Sequence, residues 1–323
     1  MSSFSQRKSC SIIGTTILLI SKLPQLKKLE IKGFWLNDHH PKVLKLFSNT
    51  SVKKLSCTFE KFNGTVRSLL EFIAHFQAIE CLSLHIDMED INSFTIPKKS
   101  FLKRFPKLNA SLKELHLDID ALVCQPLLHA FSEARLFTKN ICKLSLTGKS
   151  PYEKKVVSMT DAYYHFLLCC SVQSFSYTFH PEENLCPSEY YALCNSINSP
   201  KSHANLIVSL YGCNNLKTLR FTLLGLQIPL LHQLIQTVSS RKILEIHIVY
   251  EMARRLLKSD SQWGEIDNLI VQNFPMLSTL SIEWKFVKRV SWADLVSESA
   301  QALPQIHQKG ILRTVLPEPK FLL

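Results

Sequence analysis

The feature that most constrains the fold is a six-residue phrase, apolar-x-x-apolar-x-apolar, that recurs along the whole chain. The nine copies are Leu26-Leu29-Ile31, Val52-Leu55-Cys57, Ile79-Leu82-Leu84, Leu112-Leu115-Leu117, Ile141-Leu144-Leu146, Val172-Phe175-Tyr177, Leu216-Leu219-Phe221, Ile243-Ile246-Ile248 and Leu277-Leu280-Ile282. Their middle positions are 26 to 44 residues apart. Self-similarity at this spacing is typical of stacked structural units, each of which buries its apolar face against its neighbours.

The last apolar-x-apolar of each phrase has the period of a β-strand, so alternate side chains point to opposite faces. Segments between phrases have helical spacing instead. Two examples are Val66, Leu69, Leu70 and Ile73, and Leu230, Leu231, Leu234, Ile235 and Val238. Each unit is therefore predicted to contain a strand, a turn and a helix. The predicted fold is α/β, an irregular leucine-rich-repeat solenoid (horseshoe) with a concave parallel β-sheet and convex helices.

This interpretation divides the chain into three regions. Residues 1–25 are predicted to form an N-terminal capping helix segment, 26–284 about nine irregular repeats, and 285–323 a C-terminal cap and tail. The longest step between phrases is predicted to hold a loop at 180–187 and a second helix around 190–197. Residues 7–20 imitate the charged and apolar parts of a signal peptide, but they have no small-residue cleavage site and lead directly into the first repeat. No segment approaches the ~18 apolar residues of a membrane span, so we expect no membrane association.

The sequence lacks the motifs of common enzymes and metal sites. It contains no GxGxxG, GxxxxGK, CxxC, HExxH or GxSxG, and its twelve histidines share no metal-ligand spacing beyond the pair His39-His40. The ten cysteines are scattered through apolar segments, and Cys169-Cys170 follows one of them, which favours buried, reduced thiols. We therefore expect no enzyme activity, no catalytic residue, no cofactor and no metal, and a cytoplasmic or nuclear location.

The net charge of +12 raises an alternative function, a basic nucleic-acid-binding repeat protein. The densest basic clusters are residues 98–107 and 285–289. Elsewhere lysines recur in short pairs, as solvated repeat edges would, so nucleic acid is not the expected partner.

Function is expected on the outward strand positions, because the inward ones form the core. These positions are small or polar and carry both charge signs, which suits a protein ligand of unknown identity on the concave face. The candidate binding residues are Lys54, His85, Glu114, His116, Asp118, Lys143, Arg220 and His247. The same alternation also places Cys81, Thr222, Val249, Ser281 and Glu283 on the outward face.

Two tryptophans near the C-terminus allow two interpretations. Trp284 and Trp292 flank the basic residues Lys285, Lys288 and Arg289. Exposed tryptophan beside arginine is typical of an interaction hot spot. A cap over the open end of the solenoid is favoured, because terminal repeats must cover apolar residues that internal repeats leave to a neighbour.

Several phrases also resemble a known family. They are Leu23-Pro24-x-Leu26-x-x-Leu29, Gly33-Phe34-Trp35 followed by His40-Pro41, Trp263-x-x-Ile266-Asp267-x-x-Ile270, Phe274-Pro275-x-Leu277, and Leu303-Pro304 with Lys309-Gly310-Ile311-Leu312. Their order and spacing resemble the leucine-rich-repeat region of the F-box-like proteins of mushroom-forming fungi. The resemblance implies the substrate-recognition part of an F-box-type ubiquitin ligase receptor. An F-box is not expected here, because the first strand is predicted by about Leu26, so the ligase adaptor would be a partner only if an N-terminal F-box is missing from this chain.

Overall fold

The computed structural model describes residues 25–32, 51–62, 64–88, 97, 111–133, 140–149, 165–168, 170–180, 209–224, 228–251, 262–285 and 291–315. The chain forms two compact units, Met1–Ile141 and Cys142–Leu323. Both units are α/β, with parallel strands and intervening helices. The predicted α/β class with a parallel sheet is therefore confirmed.

The first unit contains four described strands, β1 (Lys28–Lys32), β2 (Lys54–Phe62), β3 (Cys81–Met88) and β4 (Glu114–Asp120). Consecutive strands are parallel neighbours, and the middle apolar residues of the four phrases, Leu29, Leu55, Leu82 and Leu115, align in register. Helix α1 (Val66–Ala74) follows β2, and α2 (Ala121–Glu133) follows β4. The phrase therefore marks the register of the strands as well as their positions.

Helix α1, which follows β2 and precedes β3, begins at a local hydrogen-bonding motif. The Thr65 hydroxyl accepts a hydrogen bond from the Ser68 backbone N–H at 3.1 Å, and the Ser68 hydroxyl accepts one from the Thr65 N–H at 2.9 Å. This capping box satisfies two donors that the first helical turn leaves unpaired. The predicted apolar face follows directly, because Val66, Leu69, Leu70 and Ile73 are all buried.

The second unit contains six described strands. They are β5 (Lys143–Lys149), β6 (Ser174–His180), β7 (Thr218–Leu224), β8 (Glu245–Glu251), β9 (Thr279–Lys285) and β10 (Leu312–Val315). Each pairs in parallel with the next. The helices are α3 (Ile228–Gln236), α4 (Gln262–Asn273), α5 (Trp292–Ala302) and α6 (Pro304–Gln308).

Equivalent backbone hydrogen bonds form at the start of successive strands in both units. In the first unit, the Lys27 carbonyl accepts from the N–H groups of Lys53 and Lys54, both at 2.9 Å. In the second unit, the Lys217 carbonyl accepts from Leu244 and Glu245 at 2.8 and 3.2 Å. In each case the carbonyl just before one strand accepts hydrogen bonds from the residues that start the next strand. The two units therefore share a backbone hydrogen-bonding pattern as well as a sequence pattern.

The apolar residues of the nine phrases form part of the buried core, as predicted. All of them are buried except Leu26, Ile31 and Leu277, which are half-buried and belong to the first and last phrases. Strand β1 of the first phrase has a described neighbour on one side only, which accounts for the greater exposure of Leu26 and Ile31. The prediction that these apolar residues point inward is therefore confirmed for the seven internal phrases.

Some expectations need correction. Thr222, Val249 and Ser281 occupy outward positions by alternation, yet they are buried, so the outward face near β7 to β9 is not uniformly exposed. Strand β10 was not predicted, because its inward positions Leu312 and Thr314 depart from the apolar phrase.

Several other predictions fall outside the described residues. They concern residues 1–24, His39-His40, the cluster 98–107, the loop after His180 and the helix around 190–197. Within the described part of the chain, no helix is both long and apolar enough to cross a membrane.

Candidate functional site

Four of the five predicted site residues of the first unit lie on β3 and β4, and the fifth, Lys54, lies on β2. We call Cys81, His85, Glu114, His116 and Asp118 the outward patch. Register pairs Cys81 with Glu114 and His85 with Asp118. All five side chains are half-buried, and the alternate residues of both strands are buried. The outward patch is therefore polar, accessible and held by a fixed backbone.

One end of the outward patch is a direct ion pair. His85 Nδ1 lies 2.7 Å from Asp118 Oδ2, and the two side chains are 34% and 40% exposed. The other carboxylate oxygen, Asp118 Oδ1, is covered and has no hydrogen-bond partner among the described residues. A buried acceptor without a donor costs free energy, so this oxygen is the least well satisfied polar atom of the pair.

The other end of the outward patch brings together three different donor types. Ligand atoms of Cys81, Glu114 and His116 all lie within 4.8 Å of one another. His116 Nε2 and Glu114 Oε2 are 3.9 Å apart, which is too long for a hydrogen bond between them. These three residues are the described group that could hold a metal ion. Sequence reasoning missed the group, because Cys81 comes from a different phrase, but the outward alternation had placed all three on one face.

Charged residues line the edge where these strands begin. Glu80 receives hydrogen bonds from Lys53 Nζ at 2.6 Å and from Lys113 Nζ at 3.4 Å. The hydrogen bond from Lys53, followed by that from Lys113, lowers the pKa of the Glu80 carboxyl. Lys54, a predicted binding residue, is exposed at the start of β2 and is the register neighbour of Cys81. This edge is therefore predominantly basic beside the outward patch.

In the second unit, two predicted residues meet around one carboxylate. We call Arg220, His247, Ser281 and Glu283 the inter-strand network. Glu283 Oε2 lies 3.0 Å from His247 Nε2 and 3.4 Å from Arg220 Nη2. His247 Nδ1 also contacts the Ser281 hydroxyl. Sequence reasoning named Arg220 and His247 as binding residues but missed Glu283, although alternation had placed it on the same face.

Burial sets the protonation of this network. Burial lowers the pKa of His247, and Arg220 and Lys285 add to the effect, whereas Glu283 opposes it. The neutral imidazole can then donate from Nε2 to Glu283 and accept at Nδ1 from the Ser281 hydroxyl. Both ring nitrogens are satisfied in this arrangement, so His247 has little capacity left for a ligand.

Ser281, His247 and Glu283 are hydrogen-bonded in the same sequence as the serine, histidine and carboxylate of a catalytic triad. Ser281 is only 9% exposed, and its strand is paired on both sides, with His247 of β8 and Arg313 of β10 as register partners. Backbone N–H groups inside a sheet are committed to neighbouring strands, so they are poor oxyanion donors. The geometry favours a structural link between strands.

The remaining predicted residues do not join either cluster. Lys143 is exposed at the start of β5, two strands away from β7. Of the two basic clusters considered for nucleic acid, only Lys285 is described, and it is half-buried at the end of β9. The described residues therefore provide no extended basic surface that includes these clusters.

The cysteines of the core differ from Cys81. Burial raises the pKa of the Cys57 thiol far above its ordinary value and that of Cys213 to about 11. Neither thiol is therefore ionised near neutral pH. The prediction of buried thiols is correct for Cys57 and Cys213 but wrong for Cys81, Cys142 and Cys170, which are half-buried.

Trp284 is part of the packed core of the C-terminal region, and the proposed cap stays a prediction. The Trp284 ring is fully buried, stands edge-on to Tyr250 at 5.4 Å and donates from Nε1 to the Ser299 hydroxyl at 3.3 Å. Asp267, also buried, accepts from the N–H groups of Gln305 and Ile306 at 2.9 and 3.1 Å and so caps α6. Trp292, in contrast, is 42% exposed.

A pocket of about 310 Å³ lies in the same C-terminal region. Its lining is mostly apolar and includes Phe274, Leu277, Ile306 and Ile311, with Lys309 as the charged member. It brings no group of convergent polar side chains to a ligand, so the outward patch remains the better candidate.

Comparison with known proteins assigns no family. The chain matches no protein-family model and no curated protein sequence.

Proposed function

We propose that this chain is a non-enzymatic protein-interaction scaffold, an irregular leucine-rich-repeat solenoid that binds a protein on its concave strand face. The observation that carries the proposal is the outward patch. Its polar side chains are half-exposed on two strands whose alternate residues are buried. A rigid sheet holds them in place before binding, which lowers the entropy lost when a partner docks.

The chemistry of the outward patch supports a protein ligand. It combines histidines with carboxylates, and Lys54 lies at its edge, so both charge signs are present within a few residues. A polyanion would meet the carboxylates of Glu114 and Asp118, whereas a protein can offer complementary groups to each charge.

The finer proposal comes from the resemblance in the sequence. We propose that the scaffold is the substrate-recognition part of an F-box-type ubiquitin ligase receptor. Its test is affinity purification from the source cells followed by mass spectrometry of the recovered proteins. Recovery of the ligase adaptor with the full-length gene product, but not with this chain, supports this role. A stable partner of the full-length product without adaptor leaves the scaffold proposal standing but overturns the ligase role.

A charge reversal tests the position of the binding surface. The variant Glu114→Lys with Asp118→Lys changes the outward patch without altering a core residue. The matched control is Arg67→Glu with Glu71→Arg, which reverses an exposed ion pair of 2.9 Å on helix α1 of the same unit. We expect partner recovery to fall at least about tenfold for the patch variant, a change of ~1.4 kcal/mol, and to persist in the control.

The outcomes separate the alternatives. Unaltered partner recovery by the folded patch variant would place the site elsewhere on the chain. Failure of the wild-type chain to recover any stable protein would overturn the scaffold proposal. Binding to duplex or single-stranded probes that weakens steeply with salt would support the nucleic-acid alternative instead.

A further inference from the structure

We propose that Cys81, Glu114 and His116 form a binding site for a transition-metal dication of the zinc type. The three residues occupy neighbouring outward positions on two parallel strands. The proposal goes beyond the scaffold function, because these three members of the outward patch can bind an ion without a protein partner.

The sheet places the three side chains in a compact triangle. Cys81 and Glu114 are register partners on adjacent strands, and His116 lies two residues beyond Glu114 on the same face. Adjacent strands are about 4.8 Å apart, and residues i and i+2 of one strand are about 6.6 Å apart. These separations are short enough for side chains of this length to converge on one point above the sheet.

The ligand atoms have already converged. All three lie within 4.8 Å of one another. Zinc holds sulfur at about 2.3 Å and nitrogen or oxygen at about 2.0–2.2 Å, so ligand atoms around it are separated by roughly 3.5 Å. Rotations of the side chains cover the difference, and the paired backbone does not need to move.

The next pair along the same two strands provides an internal contrast. His85 and Asp118 bond directly at 2.7 Å, so no space for an ion remains between them. His116 and Glu114 are 3.9 Å apart, and Cys81 lies beside them. Two histidine–carboxylate pairs on the same strands therefore have different separations, and the more widely separated pair is the one next to a thiol.

The set of donors determines the class of ion. A thiolate, an imidazole and a carboxylate suit zinc and its neighbours in the transition series, whereas Mg²⁺ and Ca²⁺ require oxygen ligands. The thiolate and carboxylate together neutralise a dication. Three protein ligands leave a fourth position of a tetrahedral site for water or an external donor.

Co²⁺ is the probe for this site, because cobalt bound to thiolate absorbs in the near ultraviolet and tetrahedral cobalt absorbs in the visible. The purified full chain is first treated with a chelator and reducing agent and then titrated with Co²⁺. We expect one equivalent to produce both absorptions, and we expect Zn²⁺ to abolish them by displacing cobalt. Absence of the thiolate absorption from the wild-type chain overturns the proposal.

Matched variants locate the site. Cys81→Ser and His116→Ala are expected to lose the cobalt signal, whereas Cys142→Ser and His85→Asn are expected to keep it. Cys142 is half-buried like Cys81 but belongs to no described group of metal-ligating residues. Circular dichroism checks that each variant is folded. An unchanged signal in folded Cys81→Ser, or its loss in Cys142→Ser, would assign the metal to another thiol and overturn the site.

Discussion

The outward patch and the inter-strand network both lie at outward strand positions, but they differ in exposure and in how their polar atoms are satisfied. His85 and Asp118 are 34% and 40% exposed, and Asp118 Oδ1 has no described partner. His247 and Glu283 are 22% and 18% exposed, and both nitrogens of His247 have partners within the chain. The same residue types therefore serve as an accessible surface in one unit and as an internal link in the other.

This difference shows why outward position alone does not identify a binding residue. A charged side chain on a strand contributes to recognition only when its hydrogen-bonding groups remain available. In the inter-strand network, Glu283 contacts Arg220 and His247 and leaves neither fully available. We therefore assign the binding surface to the outward patch and a structural role to the inter-strand network.

The largest expected effect tests the inward and outward assignment on which the comparison depends. Leu115→Ala should lower the free energy of unfolding by about 2–5 kcal/mol, because Leu115 is fully buried and its truncation leaves a cavity. His116→Ala, at the adjacent outward position, should change stability much less. Denaturant titration measures both variants, and equal effects would contradict the register of β4.

The next effect compares the two carboxylates. Glu283→Ala should destabilise the chain by about 1–3 kcal/mol, because it removes a mostly buried carboxylate and leaves half-buried His247 without its acceptor. Asp118→Ala should cost less than about 1 kcal/mol, because the ion pair with His85 is exposed to screening water. A larger cost for Asp118→Ala in denaturant titration would reverse the roles assigned to the two clusters.

The pH dependence of stability sharpens the same comparison. Burial lowers the pKa of His247 in the folded state below its ordinary value of 6.5, so the unfolded chain binds more protons at this residue in the interval between the two pKa values. Its contribution to stability is complete above about pH 6.5 and falls as the pH drops towards the lower, folded pKa. Arg220, Glu283 and Lys285 are the charged groups that face it.

We therefore expect His247→Gln to reduce the loss of stability on acidification between about pH 6.5 and the lower pKa. Urea titrations at a series of pH values measure the difference between wild type and variant. His85→Gln is the control in the outward patch. A steeper loss of stability in the His247 variant than in the wild type would mean that the folded pKa is raised.

The smallest effect concerns the basic edge of the outward patch. Lys54 is the register neighbour of Cys81, so its ammonium repels a dication bound there. Lys54→Gln should tighten Co²⁺ binding by no more than about fivefold, because an exposed charge several ångströms away contributes less than about 1 kcal/mol in water. Weaker Co²⁺ binding by this variant in the absorption titration would argue that Lys54 stabilises the thiolate instead.

The sequence predicted the strands of the nine phrases because each phrase combines a strand period with an apolar anchor. Leu82, Leu115 and Leu219 are fully buried as expected. The sequence pattern did not predict strand β10, because polar Thr314 stands at an inward position. This strand is held by pairing with β9 rather than by its own apolar pattern. A local pattern detects a strand that buries its own side chains, not one held mainly by its neighbour.

The candidate site could be predicted only in part. Alternation placed His85, Glu114, His116 and Asp118 on one face, because successive side chains of a strand point to opposite sides. It could not distinguish them from His247, since burial and hydrogen-bond partners depend on segments distant in sequence. The contact of His247 with Glu283 spans 36 residues and exists only because β8 and β9 pair in register.

The sequence by itself determined the repeating strand unit, its inward face and the outward residues available for function, because these depend on a period of two along each strand. The tertiary structure decided which of those outward residues are accessible. It brought Cys81 beside Glu114 and His116 and buried Val249, although alternation treats all four positions alike. The physical reason is that exposure and proximity arise from packing between neighbouring strands and helices, which the residue pattern of a single strand does not contain.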